Sequence, residues 1–264
     1  METLKTNPQI KQTIEVMIRI GHQLVKKQRN IKAGDTSYKM GKEIVSKFDV
    51  ETEKNIRKQI KKIWPNHKIW GEEIGKDKGD LTRENFIIID PIDGTKNFLS
   101  GLPLFASQIA CVEKGEIIWG IINLPALNEI YLAIKGAGAF LNYKRICPSN
   151  QSSLDLAMQC FGIGHDAVDF IKLPKLIKKQ LAEPRHYGCA GVHYSFTANG
   201  RIDIYIAKEA GFYDLAAGIL LCKEAGLAIR RLDGSQYKID ENGLGLVIAN
   251  KKLMSEYIKV IKNK

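Results

Sequence analysis

The chain has 264 residues, 44% hydrophobic and 26% charged, a balance that excludes collagen-like, low-complexity and disordered classes. Lys plus Arg number 40 against 29 Asp plus Glu, and the net charge of +11 suits either anionic partners, such as phosphorylated metabolites and nucleic acid, or a surface simply decorated with lysine. No apolar run is long enough for a membrane span, METLKTNPQIKQ does not read as a secretory leader, and 5 scattered Cys without a C-x-x-C pair point to a reducing, cytoplasmic setting.

In chain order, Ile10, Ile14, Met17, Ile18 and Leu24 recur at helical spacing and predict a helix over residues 8–29. A second helix is expected over residues 50–63, opening at Asp49 and stopped by Pro65. Phe86-Ile87-Ile88-Ile89 reads as a buried strand with a polar loop at its end. Residues 105–134 alternate apolar runs with breaks at Gly115, Asn123, Pro125 and Asn128, which predicts about three antiparallel strands, followed by a turn at Gly136-Ala137-Gly138. The second half reads as strands near 155–161, 202–206 and 246–249, and helices over 169–182, 189–199 and 213–225. A closing helix carries Leu253, Tyr257 and Ile261. Interleaved helices and strands predict a layered mixture of both. Residues 1–147 and 148–264 form two halves that, lacking a linker, should pack as one unit.

The most informative stretch is Asp90-Pro91-Ile92-Asp93-Gly94-Thr95, directly after the buried strand. Asp-Pro and Asp-Gly are turn dipeptides, so a plain turn is one reading. The other is a cation site, because two carboxylates close together in a crevice repel unless a cation offsets them, and hard divalent ions take such oxygens. A helical turn starting at Thr95 would aim free N–H groups at a phosphate. Three weaker stretches accompany it. Trp70-Gly71-Glu72-Glu73 is alternatively a solvated loop, Asp214 within Phe212-Tyr213-Asp214-Leu215-Ala216-Ala217-Gly218 an N-cap, and Asp49 the cap of its own helix.

Taken jointly, these stretches resemble the inositol monophosphatase family of Mg2+-dependent, lithium-sensitive phosphatases. Gly71-Glu72-Glu73 is similar to its G-E-E, residues 90–95 to its D-P-[IL]-D-G-[TS], and residues 213–218 to its [WY]-D-x-A-[AG]-G, in matching order. Lys135-Gly136-Ala137-Gly138-Ala139-Phe140 resembles the turn between them.

The resemblance implies an α+β fold, a layered α/β/α/β/α sandwich, and hydrolysis of a small phosphomonoester with two or three Mg2+ per site. Glu72, Asp90 and the Ile92 carbonyl would hold one ion, and Asp90, Asp93 and Asp214 a second. Asp49 and Thr95 would position and deprotonate the attacking water. Glu72 would share in the catalysis, Gly94 and Thr95 would hold the phosphate, Gly188, Cys189 and Ala190 would line the substrate pocket, and Asp93 and Asp214 would contact the substrate as well. Cys189 stands where the family has a hydroxyl residue, and it is read as packing rather than as a nucleophile.

The family also implies a homodimer. myo-Inositol 1-phosphate is the favoured substrate, with histidinol phosphate and 3′-phosphoadenosine 5′-phosphate as alternatives. Lys96 follows Thr95 where inositol phosphatases often have Thr, and Ala207 stands where they carry a ring-contacting Glu, with Glu209 two places later. A rival of another class is a regulatory scaffold that binds RNA or protein. Nucleic acid as a partner is therefore allowed but not favoured. His22, His67, His165, His186 and His193 show no ligand spacing and are expected at the surface or at caps.

Overall fold

The computed structural model describes residues 7–31, 36–38, 44–162, 185–209, 211–237 and 244–262. The first helix, α1 (Pro8–Gln28), begins at Asn7, whose side chain accepts the Ile10 N–H at 3.1 Å. Its buried residues Ile10, Ile14, Met17 and Leu24 form one stripe. A short antiparallel pair, β1 (Thr36–Tyr38) and β2 (Ile44–Ser46), leads into α2 (Lys47–Ile63). This helix starts three residues earlier than the sequence suggests, so Asp49 lies inside its first turn and is buried rather than capping from outside. Trp64 Nε1 donates to Thr13 Oγ1 at 3.0 Å and ties the two helices.

The strands β3 (Lys68–Gly71), β4 (Gly75–Lys76), β5 (Asn85–Asp93), β6 (Ala106–Glu113), β7 (Glu116–Leu124), β8 (Glu129–Ile134), β9 (Gly138–Leu141) and β10 (Lys144–Arg145) make one sheet. Its order is β10-β9-β8-β7-β6-β5-β3-β4, antiparallel except where β3 runs parallel to β5. The three strands expected over 105–134 are β6, β7 and β8. The turn at 136–138 is held from outside the sheet, where Glu224 accepts the Gly136 and Gly138 amides at 2.8 and 2.9 Å.

A second sheet contains β11 (Gln159–Gly162), β12 (Ile204–Glu209), β13 (Ala228–Arg231) and β14 (Leu244–Ala249), in the order β11-β12-β14-β13. Three further helices are α4 (Ala190–Ala198), α5 (Phe212–Ala225) and α6 (Lys251–Lys262), while the short α3 (Thr95–Leu99) follows β5. The strand expected near 155–161 is in fact a 3-10 turn at Leu154–Leu156 followed by β11. Buried Leu154 and Ala157 recur at three residues rather than two, which suits that tighter helix. The helix expected over 169–182 lies outside the described residues.

Alternation along the strands builds the layers. Ile87, Ile89, Ile109 and Ile121 meet α1 and α2, while Phe86, Ile88, Ala110 and Ile122 meet α4 and α5. Those last two helices also meet Tyr205, Ala207, Leu246 and Ile248 of the second sheet, and its far face, with Ile206 and Val247, packs on α6. The result is the α/β/α/β/α stack. Among the described residues no helix is long and apolar enough to cross a membrane.

Candidate metal centre

Strand β5 remains paired beyond its apolar run, so the acidic residues are not a free loop. Asp90 pairs with Gln108 and Asp93 with Ala106, which leaves one extra residue on β5. Residues three apart on a regular strand face opposite sides, and this bulge turns both carboxylates to the same side. They meet Asp214 there, and one oxygen from each of Asp90, Asp93 and Asp214 lies within 4.8 Å of the others.

Asp214 arrives on the first turn of α5. It is not the N-cap of that helix, since Gly211 holds that position and donates its N–H to Asp214 Oδ2 at 3.0 Å. Glu72 leaves the end of β3, and its amide donates to the Ile89 carbonyl at 3.1 Å. Trp70 and Phe212 stack at 5.2 Å, with an angle of 16° between the rings, which pins this strand end to the start of α5. The Glu72 and Asp214 side chains are thereby brought toward one crevice.

Electrostatics agree with that grouping. Burial, then the charges of Asp214 and Glu73, push the Glu72 carboxyl up to about 9. Burial and then Glu72 raise Asp90 well above the ordinary carboxylate range. Burial also raises Asp93, against the pull of the amides it accepts.

Asp90 is wholly buried, and among the described residues neither of its oxygens has a hydrogen-bond partner. Buried polar groups are almost always satisfied, so an orphaned carboxylate needs a reason. A hard divalent cation supplies one, because the surrounding donors are all oxygens. The residues present therefore fit Mg2+ or a similar ion.

Beside this cluster Thr95 Oγ1 lies 3.0 Å from Asp49 Oδ1 and 3.0 Å from the Ile92 carbonyl. Gly94 caps α3 at φ +81°, and a β-carbon there would stand 3.0 Å from that of Cys189. Glycine is thus required both for the backbone turn and for this approach.

Of the residues expected to line a pocket, Ala190 is engaged already. Its amide donates to Asp93 Oδ1 at 3.0 Å, and the Gly191 amide donates to Asp93 Oδ2. The start of α4 therefore holds a carboxylate of the acidic cluster. Cys189 is buried against the same carboxylate, and burial pushes its thiol far up, as suits a packing residue. Gly188 is exposed, and so is Lys96. Glu209 ends β12 opposite Leu244, and its side chain lies outside the described residues.

Several supporting residues escaped sequence reasoning. Gln108 donates to Asp93 Oδ2 at 2.8 Å. Glu53, fully buried, accepts the Glu73 and Ile74 amides at 2.7 and 3.3 Å and the Arg57 Nε–H at 2.7 Å. A signal did exist: Asp49, Glu53 and Arg57 recur every four residues on the inner face of α2. The histidine reading holds for His22 and His186, which are exposed, and needs correcting for two others, while His165 lies outside the described residues. His193 is buried inside α4, its Nε2 accepting the Tyr187 amide at 2.9 Å. Helix α4 is covered on several sides, so a polar ring there had to be enclosed. The side chain of His67 is only 11% exposed.

The sequence model of the inositol monophosphatase family matches residues 7–264. A Thermotoga maritima protein named fructose-1,6-bisphosphatase/inositol-1-monophosphatase is 33% identical over 251 residues, covering 94% of each chain. A Neisseria meningitidis protein named putative Nus factor SuhB is 31% identical over 261 residues, covering 97% of this chain and 98% of that one. The structure of a Thermotoga maritima IMPase superposes with a TM-score of 0.84 at 31% identity, covering 100% of this chain and 98% of that one. The chain belongs to the inositol monophosphatase family, a family of phosphoric monoester hydrolases.

Proposed function

We propose that this protein hydrolyses a small phosphomonoester with the help of Mg2+, and that myo-inositol 1-phosphate or a similar polyol phosphate is its substrate. The observation that carries this reading is the orphaned Asp90 carboxylate at the centre of the acidic cluster. Glu72, Asp90, Asp93, Asp214 and the Ile92 carbonyl would hold the cations. When bound, Mg2+ offsets the carboxylate and phosphate charges and makes a water molecule acidic enough to attack phosphorus.

The remaining steps belong to the chain's own groups. Thr95 has one hydroxyl proton and two acceptors at 3.0 Å, Asp49 Oδ1 and the Ile92 carbonyl. Only the carboxylate can keep a proton. In this reading Thr95 Oγ1 receives a proton from the attacking water and passes its own to Asp49. The amides of Gly94 and Thr95 open a helix and have no acceptor within it, so they would take phosphate oxygens. The Asp93 carboxylate, fixed by α4 and Gln108, cannot swing away as charge moves.

Two features keep other substrates of the same site in view. Lys96 is exposed beside Thr95, and Ala207 is buried in β12. Phosphate release would be measured from inositol 1-phosphate, histidinol phosphate, 3′-phosphoadenosine 5′-phosphate, fructose 1,6-bisphosphate and NADP, with Mg2+, with Mg2+ plus Li+, and with chelator. Mg2+-dependent, Li+-inhibited release from inositol 1-phosphate supports the reading, and release from another member alone replaces the substrate.

A second reading, binding of RNA or a protein partner, is favoured by the name of the Neisseria meningitidis relative and by the charge of +11. It does not account for the acidic cluster. A steep salt dependence of RNA binding, with no phosphate release from any substrate, would favour it. We place the protein in the cytoplasm, in keeping with its free thiols, and as a homodimer by analogy with the family.

A further inference from the structure

A second group of metal-ligating atoms lies on the other face of the large sheet. Nitrogen of His67, sulfur of Cys111 and a carboxylate oxygen of Glu113 all lie within 4.8 Å of one another. Sheet register brings them together. Asn85 of β5 pairs with Glu113, and Phe86 pairs with both Lys68 and Val112. His67 and Glu113 therefore flank the start of β5, and Cys111 lies one pleat further along on the same face as Glu113.

That face is the one packed on α1 and α2, whereas Asp90, Asp93 and Asp214 face α5. Cys111 pairs with Ile87, three residues before Asp90 and six before Asp93. The two groups are thus about 10–20 Å apart along the strand.

An unexplained polar atom points to a ligand here. His67 Nε2 is fully buried and, among the described residues, has no hydrogen-bond partner. The Glu113 carboxylate, 3.8 Å away, is too far for a hydrogen bond. His67 is held in place by its other contacts. Its backbone is fixed, since its carbonyl accepts Lys61 Nζ at 2.7 Å and its ring packs edge-on against Trp64 at 5.1 Å.

We propose that His67, Cys111 and Glu113 form a second metal site, for a borderline divalent cation of the Zn2+ type. Imidazole, thiolate and carboxylate together suit Zn2+ and its neighbours and are a poor set for Mg2+. Donors around a tetrahedral ion lie about 3.3–3.8 Å apart, so these three need shift by only about 1 Å. Cys111 is fully buried while the Glu113 side chain is 44% exposed, so an ion would enter from the Glu113 side and keep a fourth position for water. Bound there, it would staple the turn after α2 to β6.

The test uses the whole protein with excess Mg2+ present and adds Co2+ anaerobically, which reports a thiolate ligand by its near-ultraviolet charge-transfer band. The expected result is a band that saturates at about one equivalent, is lost in Cys111→Ser and persists in Cys189→Ser. His67→Gln should weaken Co2+ binding at least about 10-fold, on the scale of ligand losses, without changing Mg2+-dependent phosphate release. Zn2+ should raise the Tm of the parent protein and not that of His67→Gln. No band, or a band that survives Cys111→Ser, overturns the proposal. If Cys111→Ser does not fold, His67→Gln and Glu113→Gln decide alone, and unchanged Co2+ affinity in both overturns it.

Discussion

The carboxylate of Glu53 occupies the space that a side chain on Gly71 would need. A β-carbon built on Gly71 stands 2.0 Å from Glu53 Oε1 and 2.3 Å from its carboxyl carbon. This contact explains why glycine precedes the two acids. Glu53 must reach past residue 71 to hold the Glu73 and Ile74 amides, and so set where Glu72 points.

Gly71→Ala should therefore destabilise the fold by about 2–3 kcal/mol, the scale of a clash in a packed interior. Glu53→Gln is the finer probe, because it keeps the volume and removes the charge. Mg2+ affinity by calorimetry should fall about 10-fold in it, as for groups that orient metal ligands. Unchanged affinity in a folded Glu53→Gln protein would reduce this residue to a structural role.

Asp90→Asn should separate stability from metal binding. In the metal-free protein it removes a buried, unpartnered acid from a crowd of like charges, so denaturant unfolding should show no loss, and up to about 1–3 kcal/mol of gain. Stabilisation by added Mg2+ should disappear, with phosphate release reduced about 100-fold or more. A parent-like response to Mg2+ would remove Asp90 from the cation site.

Thr95 tests the proton path. Thr95→Ala should lower kcat about 100-fold or more with little change in KM, the usual weight of acid–base assistance. Thr95→Ser keeps the hydroxyl and should stay within about 10-fold. Equal losses in both would point to packing by the threonine methyl rather than to its proton.

Cation binding should depend on pH with a definite sign. Glu72 has its folded-state pKa raised to about 9 from 4.5, mainly by burial. Its contribution to metal-free stability is fully present below 4.5 and is lost as pH rises through about 9. Mg2+ must displace this proton at neutral pH, so apparent affinity should rise about 10-fold per pH unit toward 9 and proton release should be visible in buffers of different ionisation enthalpy. A flat affinity between pH 6 and 8, each value about a unit from neutrality, would show that Glu72 is already ionised.

Much of this protein was legible without coordinates because its signals are local. The 3.6-residue stripe of Ile10, Ile14, Met17 and Leu24 needs only neighbouring positions to be read, and so does the apolar run from Phe86 to Ile89 ending in Asp90. Short-range periodicity announced the layers, and residues 90–95, 71–73 and 213–218 announced an acidic cluster. Tertiary structure alone decided how the pieces meet. Nothing in the spacing of Asp49 and Thr95 says that their oxygens lie 3.0 Å apart, since a helix start and a strand end bring them together. The bulge that turns Asp90 and Asp93 to one side depends on pairing with Gln108 and Ala106 of the next strand. His67 and Cys111 are neighbours only through the register of β3, β5 and β6. Periodicity is a property of a segment, whereas register and burial belong to the whole chain, because each contact depends on where distant strands have been placed.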